Sequence, residues 1–185
     1  SGEDVASAIK TFGLTWEMIP GNIEMSKVVW DALFQKMPIN ATIRNLGNLT
    51  DKVVLGVKNL DVLEERFTKE NLMKARVHPV VLASALMVYE KGGRLGKSKL
   101  TWDPIPRVLD ILNQSVDLSF DTIEPTGKQF YHALDVSSSM TGGAVGTMWL
   151  TPLQVEGIMA LASIKSEKNY FVGGFSTTFS VLSKF

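Results

Sequence analysis

The sequence predicts two modules, an all-helical segment followed by the start of an α/β domain. Residues 26–116 consist of short stretches with helical apolar spacing, separated by short turns, which is typical of helices packed in antiparallel pairs. Residues 128–182 instead contain compact apolar runs around one helical segment. The order strand, loop, helix, strand is that of an α/β unit.

Six helices are predicted in the first module. Ser26 is placed to cap the first, which carries one apolar face and ends before Pro38. The second is predicted to end at Gly47, in the position that follows a helix C-cap. Stacked helix pairs form an α-solenoid, although the sequence shows no clean repeat period, so an all-α module is better supported than any one repeat type. The other helices are predicted over Asn40–Leu46, Leu55–Phe67, Glu70–Ala75, Pro79–Glu90 and Pro104–Val116, with Gly92 and Gly93 ending the fifth.

The second module begins with a strand over Lys128–Val136, whose mixed aromatic and aliphatic residues indicate burial on both faces. A polar Ser and Gly loop runs from there through Gly146. A helix then begins at Thr151, with Pro152 at its first position and Gln154 completing a capping box. Two short strands are predicted over Asn169–Phe175 and Phe179–Leu182.

Asp135, Ser137 and Ser139 alternate at the carboxyl end of the first predicted strand, where open α/β sheets place their ligands. A carboxylate and two hydroxyl oxygens suit Mg²⁺, which prefers oxygen ligands. One carboxylate does not neutralise a divalent ion, so an acidic group of a partner or a further protein ligand is expected. The alternative is a serine-rich turn whose hydroxyls bond loose backbone groups.

The charge of the chain is balanced, with 19 basic and 19 acidic residues, but its distribution is uneven. Between Arg66 and Arg107 there are nine basic residues and three acidic ones, leaving a local excess of six. Such a stripe is typical of a phosphate-binding face, and the alternative is a solvated helix face. The basic residues are Arg66, Lys69, Lys74, Arg76, Lys91, Arg94, Lys97, Lys99 and Arg107.

Composition excludes several classes of function. A 45% hydrophobic and 21% charged chain is ordinary for a globular protein, and no long apolar run or signal-peptide pattern predicts a membrane partner. The chain has no cysteine, which fits a reducing compartment, so we expect a cytoplasmic protein, with the nucleus as a second location. Neither His78 nor His132 has a nucleophile and acid partner by sequence, and no hydrolase or zinc motif occurs, so no enzymatic activity is predicted.

The DVSSSM turn resembles the metal-ion-dependent adhesion site, or MIDAS, of von Willebrand factor A domains. Together with RNLG, ARVHP and EPTGK, it resembles the Ro ribonucleoprotein autoantigen family over nearly the whole chain. The resemblance implies a TROVE module of HEAT-like helical repeats at residues 1–124 and the amino-terminal part of a Rossmann-like A domain at residues 125–185. A domains complete their metal site with a later threonine and aspartate, so we expect a central fragment in which the three ligands hold Mg²⁺ weakly or not at all.

The resemblance also implies function. The leading hypothesis is a non-catalytic protein that binds small noncoding (Y-type) and misfolded RNAs in RNA quality control, with an acidic protein partner at the metal. The second hypothesis is a metal-dependent protein-interaction module without RNA contact. The candidate RNA-binding residues are Arg44, Lys74, Arg76, His78, Lys97 and Lys99.

Overall fold

The computed structural model describes residues 1–93, 100–143, 145 and 150–183, and it contains a helical part followed by a small sheet. Two short 3₁₀ segments, Trp16–Met18 and Ser138–Thr141, accompany the regular elements. In chain order the elements are α1 (Gly2–Phe12), α2 (Lys27–Lys36), α3 (Ile39–Asp51), α4 (Val57–Arg66), α5 (Lys69–Lys74), α6 (Pro79–Glu90), α7 (Pro106–Phe120), β1 (Gln129–Asp135), α8 (Pro152–Ser166), β2 (Asn169–Phe175) and β3 (Phe179–Ser183).

The first seven helices share one hydrophobic core. Helix α1 packs on α2, α6 packs on α7, and α3 lies against α6. Each helix contributes at least one almost fully buried apolar side chain, and this continuous burial supplies most of the free energy that orders short helices. One such residue from each of α1 to α7, in order, is Ile9, Phe34, Leu49, Leu63, Leu72, Leu82 and Leu112.

Most of the predicted helices are confirmed, with shifted ends. Helix α6 has the predicted bounds, because Pro79 suits the first turn and Gly92 adopts the left-handed conformation (φ 62°) that ends it. Helix α7 begins and ends later than predicted, and α1 was not predicted. Ser26 precedes α2 as expected, but its hydroxyl makes no capping bond and is buried without a partner among the described residues.

The prediction that a helix ends at Gly47 was wrong, since α3 continues to Asp51. Gly47 has another reason to lack a side chain. A Cβ atom built on it would lie 2.5 Å from the indole ring of Trp102, which packs directly on the helix backbone at that point. Gly47 therefore provides space for an aromatic ring and does not end a helix.

Helices α3 and α5 are both followed by a residue that has a positive φ angle and is not glycine. Arg76 has φ 50° and Val53 has φ 53°. After α5, the N–H of Arg76 donates to the Met73 carbonyl at 3.0 Å and the next N–H donates to the Leu72 carbonyl at 3.0 Å, the pattern of a Schellman motif. A side chain in this conformation costs about 1–2 kcal/mol relative to glycine.

The sheet has the order β1-β2-β3, with β1 and β2 parallel and β2 and β3 antiparallel. Helix α8 connects the parallel pair and packs against both strands. The expectation that β1 is covered on both faces was wrong. Tyr131, Phe171 and Phe179 stack in a row, and Tyr131 is 59% exposed, so among the described residues only one face is covered.

Helix α8 also joins the sheet to the helical part. Lys165 of α8 donates to Asp117 of α7 at 3.0 Å and lies 4.8 Å from the ring centroid of Phe120. Glu167, just after α8, accepts hydrogen bonds from Thr126 and Gly127, which precede β1. The boundary between the two modules near residue 124 stays a prediction. The contacts of Lys165 and Glu167 are with Asp117, before this position, and with Thr126, after it.

Candidate nucleic-acid interface and metal turn

Several members of the predicted basic stripe are already engaged within the fold. Arg66 donates to the carbonyl oxygens of Phe34 and Gln35, both at 2.7 Å, and lies 4.6 Å from the centroid of the Phe34 ring. These carbonyls belong to the carboxyl end of α2, where a cation is favoured. Arg66 is therefore a structural residue of the α2–α4 contact.

Three further basic residues of the stripe form ion pairs. Lys74, a candidate RNA contact, pairs with Glu70 one turn earlier on α5 at 2.7 Å. Both partners are exposed, so the pair contributes little stability, but it places a carboxylate beside a predicted phosphate contact. The other pairs are Lys69 with Asp121 at 3.4 Å, and Arg107 with Asp61 at 2.7 Å and Glu64 at 2.5 Å.

Arg44, Arg76 and Lys91 are exposed, and none forms an ion pair within the described ranges. Lys97 and Lys99, together with Arg94, lie outside the described residues. Within the described part of the stripe, only Arg76 and Lys91 are thus exposed cations without an ion pair, and Arg44 adds a third from outside the stripe.

Arg44 lies on α3 and Arg76 lies just after α5, and a side-chain hydrogen bond joins these two segments. The side-chain amide of Asn40, in the first turn of α3, donates to the Ala75 carbonyl at the end of α5 at 3.0 Å. Arg44 lies one helical turn after Asn40 on the same face of α3, while Arg76 directly follows Ala75. We call this surface, formed by Asn40, Arg44, Arg76 and His78, the Arg44–Arg76 surface.

His78 has a defined structural role at the edge of this surface. It is the N-cap of α6, and its Nδ1 accepts a hydrogen bond from the Val80 N–H at 3.2 Å. The accepting nitrogen is unprotonated in that bond, so the neutral ring carries its proton on Nε2. The ring is exposed, which leaves Nε2 as a hydrogen-bond donor toward solvent.

A groove of about 370 Å³ lies between α3 and α6, and Arg44 is one of its lining residues. We call it the α3–α6 groove. Sequence reasoning missed it, because its lining residues are spread over three segments. They include Arg44, Gly47 and Asn48 of α3, Val81, Ala85 and Val88 of α6, and Trp102.

Of the predicted metal ligands Asp135, Ser137 and Ser139, which form what we call the metal turn, only the first two are in contact. The hydroxyl of Ser137 donates to Asp135 Oδ1, and the Ser137 N–H donates to the same oxygen at 2.9 Å. The Ser137 hydroxyl bond and then its backbone bond lower the pKa of Asp135 from its ordinary value, so the carboxylate is ionised near neutral pH. Ser139 lies exposed in the following 3₁₀ segment and makes no side-chain hydrogen bond to either residue.

Glu156 brings a second carboxylate to this turn, which the sequence reasoning missed. Its Oε1 accepts the N–H of Asp135 at 3.0 Å, while its Oε2 is buried and has no hydrogen-bond partner in the described part of the chain. The sequence offered one signal for this role, since Glu156 is the only acidic residue of α8. A buried carboxylate oxygen without a donor fits a nearby cation, as does the oxygen donor set of Asp135 and Ser137.

The described part of the chain holds no cluster of three or more His, Cys, Asp or Glu residues suited to a metal ion. A cation at this turn would therefore depend on hydroxyl ligands beside the two carboxylates.

In the described residues, no helix has the length and apolar character needed to cross a membrane.

Comparison with known proteins agrees with the sequence resemblance. Residues 11–126 match the family model of the TROVE domain. The chain is 41% identical to the RNA-binding protein RO60 of Caenorhabditis elegans over 143 residues, covering 76% of this chain and 22% of the relative. It is 32% identical to the RNA-binding protein RO60 of Deinococcus radiodurans over 182 residues, covering 96% of this chain and 34% of the relative.

The comparison of structures agrees with the comparison of sequences. The crystal structure of the Deinococcus radiodurans RO (RSR) protein superposes with a TM-score of 0.87 at 31% identity, covering 99% of this chain and 38% of that structure. The chain thus spans about a fifth to a third of the length of the curated relatives. On the TROVE match, the two relatives and the shared fold, the chain belongs to the TROVE-domain family of Ro proteins.

Proposed function

We propose that the chain binds RNA through the Arg44–Arg76 surface. The observation that carries this proposal is that the Asn40 to Ala75 bond joins the two segments that carry Arg44 and Arg76. Both arginines are exposed, and neither has an acidic partner in the described structure. Guanidinium groups bind phosphate oxygens bidentately, and unpaired ones do so without first breaking an ion pair. The two relatives named as RNA-binding proteins support the ligand class.

A neutral chain can bind RNA in this way because local charge governs phosphate contact. Lys69, Lys74 and Arg107 carry carboxylates beside them, so their contribution to the field at the surface is largely cancelled. Arg44 and Arg76 have no such partner among the described residues. Their contribution to RNA affinity is therefore expected to exceed that of the paired lysines.

The ligands proposed from the family are small noncoding RNAs of the Y type and misfolded RNAs, and the proposed process is RNA quality control in the cytoplasm. Arginine contacts to phosphate and stacking contacts to bases are the means by which proteins recognise RNA duplexes and unpaired segments. No catalytic step is proposed.

The sheet and α8 are proposed to be the start of a von Willebrand factor A domain that engages a partner through Mg²⁺. Asp135, Ser137 and Ser139 would hold the ion, which would supply a positive charge for an acidic group of the partner protein. Support comes from the ionised state of Asp135 and from the buried oxygen of Glu156 beside it, which has no partner in the described residues.

Fluorescence anisotropy with a labelled structured small RNA tests the RNA proposal. Arg44→Gln and Arg76→Gln are each expected to weaken binding by roughly 10- to 150-fold, since hydrogen bonds to charged groups contribute roughly 1.5–3 kcal/mol. Lys69→Gln, which removes an ion-paired charge, is the matched control and should change affinity less than about 2-fold. Equal losses in all three variants would contradict the assignment.

The same assay with a chelator distinguishes the RNA proposal from the second hypothesis, which is a metal-dependent protein-interaction module without RNA contact. RNA binding that survives chelation and Asp135→Ala supports the helical surface as the RNA site. If the wild-type chain binds no RNA while partner capture depends on the metal, the second hypothesis replaces the first.

A further inference from the structure

We propose that the α3–α6 groove holds one unstacked nucleobase of single-stranded RNA while Arg44 binds the adjoining phosphate. This inference rests on the proposed RNA-binding function and specifies the form of RNA that the surface recognises. Arg44 belongs to that surface and also lines the groove, so an RNA phosphate bound by Arg44 would lie next to the groove.

The size and walls of the groove suit an aromatic ring. Its volume of about 370 Å³ lies at the lower end of the roughly 300–1,000 Å³ range common for small-molecule sites. Val81, Ala85 and Val88 line it on the α6 side, and Val81 is 40% exposed at the rim. Apolar walls of this kind favour a flat base over a hydrated phosphate.

An aromatic ring that is held in place lines the groove. The Trp102 indole N–H donates to the Tyr89 carbonyl at 3.1 Å, and the two rings lie 5.8 Å apart at 32°. The ring also packs on Gly47, where no side chain separates it from α3. Trp102 is therefore pre-organised, so a base that stacks on its accessible part would lose little entropy in ordering the protein.

Polar groups are placed for the rest of a nucleotide. Among the described residues, Arg44 is the only charged one that lines the groove, so these walls carry a net positive charge. Asn48 also lines it, and its side-chain NH₂ donates to Asn45 Oδ1 at 3.2 Å, while its side-chain oxygen Oδ1 has no partner in the described structure. That oxygen can accept a hydrogen bond from a base N–H. An aromatic face, a guanidinium and an amide are the groups with which proteins bind splayed-out bases.

This arrangement distinguishes single strands from duplexes. A base in an RNA duplex is stacked and paired, so it does not enter a groove of this kind without the cost of flipping. The phosphate contacts of Arg44 and Arg76 are available to both forms. Filling the groove is therefore expected to weaken single-strand binding selectively.

Ala85→Leu fills the groove from α6, and Val81→Phe narrows it from an exposed rim position outside the hydrophobic core. Ser7→Leu is the matched control, because it adds a leucine side chain at an exposed helical position on α1, which does not line the groove. Affinity of the whole chain is measured by anisotropy with two probes, a labelled oligouridylate and a labelled blunt RNA duplex. Thermal melting of each variant by circular dichroism checks that the fold is retained.

Both groove variants should weaken oligouridylate binding, by roughly 5- to 150-fold if a stacked base is lost, and change duplex binding less than about 2-fold. Ser7→Leu should change neither. Unchanged oligouridylate binding, or an equal loss for both probes in folded Val81→Phe, overturns the groove proposal while RNA binding itself stands. If the wild-type chain binds neither probe, the proposed function falls as well.

Discussion

Glu167 accepts two hydrogen bonds from Thr126, one from its backbone N–H at 2.6 Å and one from its hydroxyl at 2.7 Å. A third, from the Gly127 N–H at 3.0 Å, completes the set. Glu167 is 6% exposed and lies between α8 and β2, while Thr126 lies between α7 and β1. One buried side chain thus joins the segment that enters the sheet to the segment that leaves α8.

Glu167→Ala is expected to lower the melting temperature of the chain by several degrees, because it leaves two backbone N–H groups without acceptors near the sheet. Thr126→Val removes only the hydroxyl bond and should have a smaller effect. Thermal unfolding followed by circular dichroism measures both. A Glu167→Ala protein that melts at the wild-type temperature would show that the junction does not depend on this carboxylate.

The pH dependence of stability follows from the same contacts. The Thr126 hydroxyl bond, then the backbone bonds, lower the pKa of Glu167 below its ordinary value of 4.5. A lowered folded-state pKa means that this stabilisation is complete above about pH 4.5 and is lost as the pH falls through the folded-state value. Urea unfolding from about pH 7 to pH 3 should show a smaller acid loss of stability in Glu167→Gln than in the wild type.

Arg76→Gly separates stability from binding. Glycine relieves the positive φ angle, so the variant is expected to be about 1 kcal/mol more stable to urea, and it should bind RNA more weakly because a phosphate contact is gone. Val53→Gly is the matched control, since it relieves the same kind of strain after the end of α3 without removing a charge. Equal RNA affinity in both glycine variants would remove Arg76 from the binding surface.

Gly47→Ala tests the packing of the Trp102 ring on α3. The added methyl group would lie 2.5 Å from the indole ring, so overpacking is expected to cost about 1–3 kcal/mol. Gly157→Ala on α8 is the control, because nothing described lies within 4 Å of its Cβ position and alanine should stabilise that helix by about 0.5–1 kcal/mol. Changes of the same sign in the two variants would contradict the packing described for Trp102.

The metal turn is tested by isothermal titration of the chain with MgCl₂. Asp135→Asn is expected to abolish measurable binding, and Glu156→Gln to weaken it about 10- to 100-fold, since the amide keeps an oxygen for the Asp135 N–H but loses the charge. Glu124→Gln, which precedes β1 at the end opposite Asp135, should have no effect. If the wild-type chain gives no binding heat, the metal proposal for this chain is wrong.

Local signals predicted elements well where one residue determines the outcome. Pro79 and Gly92 bounded α6, and Thr151 with Gln154 formed the predicted capping box of α8. Gly47 misled because a glycine that ends a helix and one that admits a ring look alike in sequence. Only the position of Trp102, far along the chain, distinguishes them.

The candidate sites were less predictable because they depend on contacts between distant segments. Nothing local indicates that Lys69 pairs with Asp121 or that Arg66 binds the end of α2, so the sequence overstated the basic stripe. Likewise, Glu156 reaches the metal turn only because α8 folds back along β1. The residue types indicated which side chains could bind phosphate or metal, but the sequence did not show which residues they contact in the fold.

The salt dependence of RNA affinity shows whether Arg44 and Arg76 contact RNA phosphates. With a single-stranded probe, each phosphate contact contributes about 0.7 to the slope of log affinity against log salt concentration. The double variant Arg44→Gln, Arg76→Gln should therefore flatten the slope by about 1.4, while Lys69→Gln, Lys74→Gln leaves it nearly unchanged. A slope that is the same in the wild type and the arginine double variant would show that neither arginine contacts an RNA phosphate.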